Sequence, residues 1–122
     1  MKLTIYHTND IHSRFEAYSC CVHMIKQLSS SQDLIVDCGD FADMRSPLVS
    51  ATQGRVCCDL LKDTYDLFCI GNNEIDNGYE TVKYYGESGK CVCANLTSDV
   101  GRCKIESLPE SKIIKKQNIR IL

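Results

Sequence analysis

Residues 33–43 read Asp33-Leu34-Ile35-Val36-Asp37-Cys38-Gly39-Asp40-Phe41-Ala42-Asp43, a short apolar run that breaks off into glycine and carboxylates. A run this short, rich in branched side chains and closed by Gly-Asp, reads as a buried strand over Asp33–Cys38. The same form recurs on both sides of it. Lys2–Thr8 leads into Asn9-Asp10-Ile11-His12, and Asp66–Ile70 leads into Gly71-Asn72-Asn73-Glu74-Ile75-Asp76, while Lys90–Ala94 reads as a fourth strand. Helical spacing fills the intervals. Glu16–Ser29 places Ala17, Cys20, Cys21, Met24, Ile25 and Leu28 near one face, and Ser50–Lys62 does the same with Ala51, Val56, Cys57, Leu60 and Leu61. A third helix is expected over Gly78–Glu87 with Val82 and Tyr85 inward. Strands alternating with helices predict the α/β class, βαβ units on a largely parallel sheet.

Beyond Ala94 the pattern changes. Asn95–Ser111 is polar and turn-like, and Ile113-Ile114 and Ile119-Arg120-Ile121 flank Lys115-Lys116-Gln117-Asn118 as a hairpin. The 122 residues suit one domain, and 43% hydrophobic with 25% charged residues is a globular composition. A net charge of −2 argues against charge-driven binding to polymeric nucleic acid or to an anionic membrane. Runs such as Leu34-Ile35-Val36 fall far short of the roughly 20 residues that cross a bilayer. The opening Met1-Lys2-Leu3-Thr4-Ile5 has no signal-peptide core, so a cytoplasmic location is expected. The nine cysteines are odd in number and lack C-x-x-C pairs, which favours reduced thiols. Neighbours such as Cys20-Cys21 and Cys57-Cys58 diverge in direction, so they read as small buried hydrophobes rather than a zinc site.

The polar clusters carry the chemistry. In an open α/β sheet the carboxyl ends of neighbouring strands share one edge, where ligands bind. Asp10 and His12, two residues apart, can reach one cation; Asp40 can bridge to a second, and the Asn72 amide oxygen can complete that second sphere. Mixed oxygen and nitrogen donors suit Mn, Fe or Zn, and two such ions activate a water and clamp a phosphate for in-line attack. Singly, each of these residues is ordinary turn or cap chemistry. Jointly they predict a metal-dependent phosphate ester hydrolase.

Taken with the lead-in Tyr6-His7-Thr8-Asn9 and the following Ala94-Asn95-Leu96, the three blocks Asp10-Ile11-His12, Gly39-Asp40 and Gly71-Asn72-Asn73-Glu74 resemble the N-terminal half of the calcineurin-like metallophosphoesterase domain of 5'-nucleotidases. The resemblance implies the first half of a metallophosphoesterase α/β sandwich and two divalent metals of the Mn, Zn or Fe class. Asp10 and His12 would hold the first metal, Asp40 would bridge, and Asn72 would hold the second. The substrate implied is a nucleotide or other phosphomonoester. Where the family usually has a histidine that assists the leaving oxygen, this chain has Asn73, and Asp76 matches the carboxylate that orients that histidine. An amide donates a hydrogen bond but shuttles no proton near neutral pH. A cytoplasmic bacterial branch is similar in carrying G-N-N-E after an A-T-x-G stretch like Ala51-Thr52-Gln53-Gly54.

The family completes its site with histidines that this chain lacks, commonly in a G-H-x-H block. Residues 1–122 are therefore expected to be the N-terminal portion of a longer domain, needing its other half or self-association, with an open edge near Ile119–Leu122. The alternative reading is a degenerate, non-catalytic fold with at most weak metal binding. His7 and His23 read as sheet and helix-face residues, Asp43 and Arg45 as a salt-bridged loop, and Lys112, Lys115, Lys116 and Arg120 as a solvated basic tail.

Overall fold

The computed structural model describes residues 2–96 and 107–122; most of the turn-like Asn95–Ser111 stretch, with Cys103, lies outside the described residues. The elements in order are β1 (Ile5–Thr8), α1 (Phe15–Leu28), β2 (Leu34–Asp37), α2 (Pro47–Ala51), α3 (Arg55–Thr64), β3 (Leu67–Cys69), α4 (Asn72–Ile75), α5 (Tyr79–Glu87), β4 (Cys91–Val92), β5 (Ile114–Lys116) and β6 (Ile119–Ile121). β1, β2, β3 and β4 form one parallel sheet in that spatial order, and β5 and β6 form a separate antiparallel hairpin. The four strands fall where the periodicity puts them, with shorter ends; in the hairpin β5 takes in Lys115 and Lys116, so the connection is Gln117-Asn118 alone. No helix among the described residues is long and apolar enough to cross a membrane.

One row of residues crosses the whole sheet: Thr8 pairs with Asp37, Asp37 with Phe68, and Phe68 with Cys91. Phe68, Cys91 and the neighbouring Tyr65, Tyr85, Cys57 and Leu61 are fully buried and form the centre of the core. Phe68 and Tyr85 meet edge to face at 6.1 Å, the arrangement that ring quadrupoles favour. Val36, Leu67, Cys69 and Val92, with Ile114 and Ile121 of the hairpin, line a cavity of about 460 Å³. Lys116 Nζ, 3.2 Å from Asp66 Oδ1, ties that hairpin to the residue preceding β3.

Two helices differ from their sequence reading. The stretch Ser50–Lys62 is not one helix: α2 starts at Ser46-Pro47 and stops at Thr52, and α3 restarts after Gln53 and Gly54, both at positive φ (51° and 77°). Two successive left-handed residues cannot continue a right-handed helix. In α1 the inward face is Phe15, Tyr18, Val22 and Ile25. Ala17, Cys20, Met24 and Leu28, expected inward, are exposed, Met24 at 59% and Leu28 at 65%. The rings decide the phase: Tyr18 packs edge-on against Phe41 at 5.0 Å, and its hydroxyl lies 2.5 Å from Thr64 Oγ1 and donates to Leu60 O. A buried tyrosine needs that partner for its hydroxyl, and no aliphatic face of α1 offers one.

Candidate metal centre

The carboxyl ends of β1, β2 and β3 run into three loops that hold one another. The first two continue the sheet's pairing past its last strand residues: Asp10 N donates to Gly39 O, His12 N to Asp40 O and Ser13 N to Phe41 O, at 2.8–3.1 Å. To do so the backbone adopts the left-handed region at Asp10 (φ 53°), His12 (47°), Ser13 (56°) and Asp40 (53°). Such residues cost on the order of 1 kcal/mol each and cluster where function requires them. The third loop lies against the second. A Cβ on Gly71 would stand 2.2 Å from Asp40 Oδ1, and one on Gly39 would stand 3.0 Å from Gly71 N, so glycine is required at both by close approach.

This arrangement brings Asp10, His12 and Asp40 together, with one ligand atom of each within 4.8 Å of the others. His12 Nε2 stands 3.4 Å from Asp10 Oδ1. Asp40 Oδ1 accepts from Asn73 N at 3.1 Å and from Asn73 Nδ2 at 3.2 Å. The Asn72 amide lies 3.1 Å from Asp40 Oδ2. With its nitrogen turned there it donates to the carboxylate; with its oxygen turned there, it would join that carboxylate as a donor to a cation. Carboxylate, imidazole and amide donors fit a divalent ion of the Mn, Fe or Zn class. Asp76 sits exposed at the end of α4.

Asp43 is anchored by Ser13, whose Oγ accepts from Asp43 N at 2.7 Å, and it grips Arg45 through Nε and a 2.7 Å bond from the terminal guanidinium nitrogen. That pairing holds the Asp43 carboxyl down to about 2. His7 is exposed on β1, and His23, on α1, is 2.9 Å from the Gln27 amide. Cys57, Cys58 and Cys91 are buried, and burial pushes their thiols up, to about 12 for the first two.

Two residues were not singled out by sequence reasoning for the parts they play. Glu74 is completely buried and accepts three backbone N–H bonds; its signal was the spacing Gly71-x-x-Glu74, that of an acidic residue reaching back to a helix start. Asp37 is 2% exposed, accepts from Thr8 Oγ1 at 2.5 Å and from Gly39 N at 3.0 Å, and burial raises its carboxyl to about 6. A carboxylate ending an apolar strand gives no sign of which face it takes.

The calcineurin-like phosphoesterase profile matches residues 3–117, nearly the whole chain and all three loops. The chain belongs to that family. Among curated proteins it is 39% identical to a Bacillus subtilis (strain 168) protein described as uncharacterized metallophosphoesterase YunD, over 60% of this chain and 17% of that one. Among solved structures, the crystal structure of a 5'-nucleotidase precursor from Thermus thermophilus superposes with a TM-score of 0.65 at 19% identity, covering 97% of this chain and 27% of that one. This second likeness is one of fold: a parallel sheet with helices, as in metallophosphoesterases. The chain thus spans about a quarter or less of the length of either relative.

Proposed function

We propose that this chain is the N-terminal portion of a phosphomonoesterase of the 5'-nucleotidase type, in which Asp10, His12, Asp40 and Asn72 hold two divalent cations. The observation that carries the reading is the Asp10–His12–Asp40 convergence, with ligand atoms within 4.8 Å on backbone held in the left-handed region. Bound at this set, the cations supply activation of a water and neutralisation of charge on the phosphate. The chain's own residues position. Asp40, grouped with Asp10 and His12, would be the ligand shared by the two ions, and Asn73 fixes one of its oxygens. As an amide, Asn73 offers the phosphate a hydrogen bond and no proton, so charge stabilisation rather than general-acid help lowers the barrier. Asp76, exposed at the end of α4, has no imidazole at position 73 to orient.

The substrate class, nucleotides or other small phosphomonoesters, is supported by the family and by the nucleotidase fold. In this reading, residues beyond this chain complete the site and set base preference, and the role is in cytoplasmic nucleotide catabolism. The test is metal content by elemental analysis, with turnover of p-nitrophenyl phosphate in Mn²⁺ by the chain and by its full-length parent. Two bound metals and Mn²⁺-dependent turnover by the parent are expected. Two metals without turnover there overturn the enzyme reading.

A further inference from the structure

We infer that Glu74 is a positioning residue for this metal centre: its buried carboxylate clamps the backbones of the second and third loops together and so sets where the Asp40 carboxylate points. The inference rests on the metal-site reading above and deepens it.

Glu74 Oε2 accepts from Gly71 N at 2.6 Å and from Asp40 N at 3.1 Å, while Oε1 accepts from Ala42 N at 2.7 Å. Only the first of these bonds caps its own helical turn. The other two cross to the loop after β2 and take the amides on either side of Phe41, a ring with no exposed surface that is seated against Tyr18. The clamp therefore grips the peptide of a left-handed aspartate from one side while Asn73 grips its carboxylate from the other. A residue in that backbone region stays there only when its surroundings over-determine it. Removing the clamp lets Asp40 relax toward ordinary φ and carries its carboxylate away from Asp10 and His12. Burial raises the Glu74 carboxyl above its ordinary value, and the three backbone N–H bonds act against that rise. The position is costly to maintain, and capping a single four-residue turn does not require it.

Glu74→Gln keeps the shape and breaks one link of three. Its oxygen can still accept from Gly71 and Asp40, but its NH2 then meets the Ala42 N–H, donor against donor. Mn²⁺ affinity, measured by calorimetry with the metal alone on the folded chain, is expected to fall about 10–100-fold, the range for residues that support metal ligands from behind. Leu61→Ala, a fully buried position in α3, serves as the control for general weakening. It is expected to lose at least as much thermal stability and to keep wild-type Mn²⁺ affinity below its melting point. Unchanged affinity in E74Q, or an equal loss in L61A, overturns the clamp and leaves the metal-site reading standing. Where the wild-type chain binds no Mn²⁺, the same comparison is made in the full-length parent, and absence of binding there overturns both. If E74Q does not fold, hydrogen exchange on the wild type decides: the Asp40, Ala42 and Gly71 amides should slow together on adding Mn²⁺, and independent or unaltered exchange refutes the clamp.

Discussion

The two ends of the parallel sheet are made on different terms. At the amino end, loops close with ordinary turn chemistry: Asp33 accepts from Ser30 N and Oγ, Lys90 Nζ donates to Lys62 O and Tyr65 O, and Lys116 pairs with Asp66. Each charged group there has a partner, an opposite charge for Lys116 and Asp66 and neutral groups for Asp33 and Lys90. At the carboxyl end stand four of the six non-glycine residues with positive φ among those described, two glycines in backbone contact, and the carboxylates of Asp10, Asp37, Asp40 and Glu74 within a few residues of the strand ends. One end is built to be stable alone. The other stores strain and unneutralised negative charge, which a divalent cation would offset. Stability and function have been given opposite ends of one sheet.

Two glycines break this contrast most sharply. Gly71→Ala places a Cβ 2.7 Å from Asp40 N as well as 2.2 Å from its carboxylate, so the loops must part; a loss of about 3 kcal/mol or more in a urea titration is expected. Gly89, at the amino end, also has positive φ (70°) but open space around its Cβ. There alanine should cost only the backbone term, about 1 kcal/mol. Equal losses at the two sites would show that close approach is not what distinguishes the carboxyl end.

Asp37 gives the next largest effect, with a defined pH dependence. Its folded carboxyl titrates at about 6 against 3.8 for the free group, with burial the main cause. Between those values the native state holds more protons than the unfolded chain, so stability falls as pH rises from 4 to 6 and levels off above. Asp37→Asn can still accept from Gly39 and can donate to Thr8, without the buried charge. In chelator, the variant should match the wild type near pH 4 and exceed it by about 2 kcal/mol at pH 7.5. A difference that stays flat across that range would place the Asp37 charge in water.

How much of this was legible beforehand follows the same division. Short branched runs closed by Gly-Asp or Gly-Asn marked the ends of β2 and β3, because burial leaves an inner parallel strand little compositional choice. Asp10, His12 and Asp40 could be grouped because strand order brings their loops to one edge. The face of α1 was not legible, since Ala17, Cys20, Met24 and Leu28 make as good an apolar stripe as Phe15, Tyr18, Val22 and Ile25. Only the hydroxyl partners of Tyr18, supplied by a helix 42–46 residues away, decide between them. Glu74 was hidden for a related reason. Its partners Asp40 and Ala42 lie 34 and 32 residues back, and local spacing reveals only the bond to Gly71.

If strain at the carboxyl end serves metal binding, relieving it should separate stability from function. Asp10→Gly removes both a left-handed side chain and a negative charge beside Asp40. In chelator the variant should be about 1 kcal/mol more stable than the wild type. In excess Mn²⁺ the order should reverse, because only the wild type gains from binding. A variant less stable than the wild type in chelator would mean that the left-handed backbone at Asp10 is not strained.

The hairpin supplies the smallest effect and the matching control. Gln117 also has positive φ (54°), at the first residue of the two-residue connection between β5 and β6. A turn with positive φ at that position alone favours glycine there, because no Cβ then meets the preceding carbonyl. Gln117→Gly relieves the same kind of strain as Asp10→Gly, less the greater freedom glycine has in the unfolded chain, for a net gain of about 0.5 kcal/mol. The hairpin contributes no ligand to the Asp10–His12–Asp40 group, so this gain should persist unchanged in Mn²⁺. The two sites share a positive φ and differ in what they hold. A Gln117→Gly gain that vanished on adding metal would show that Mn²⁺ acts on the whole fold, and the separation of the sheet's two ends would fail with it.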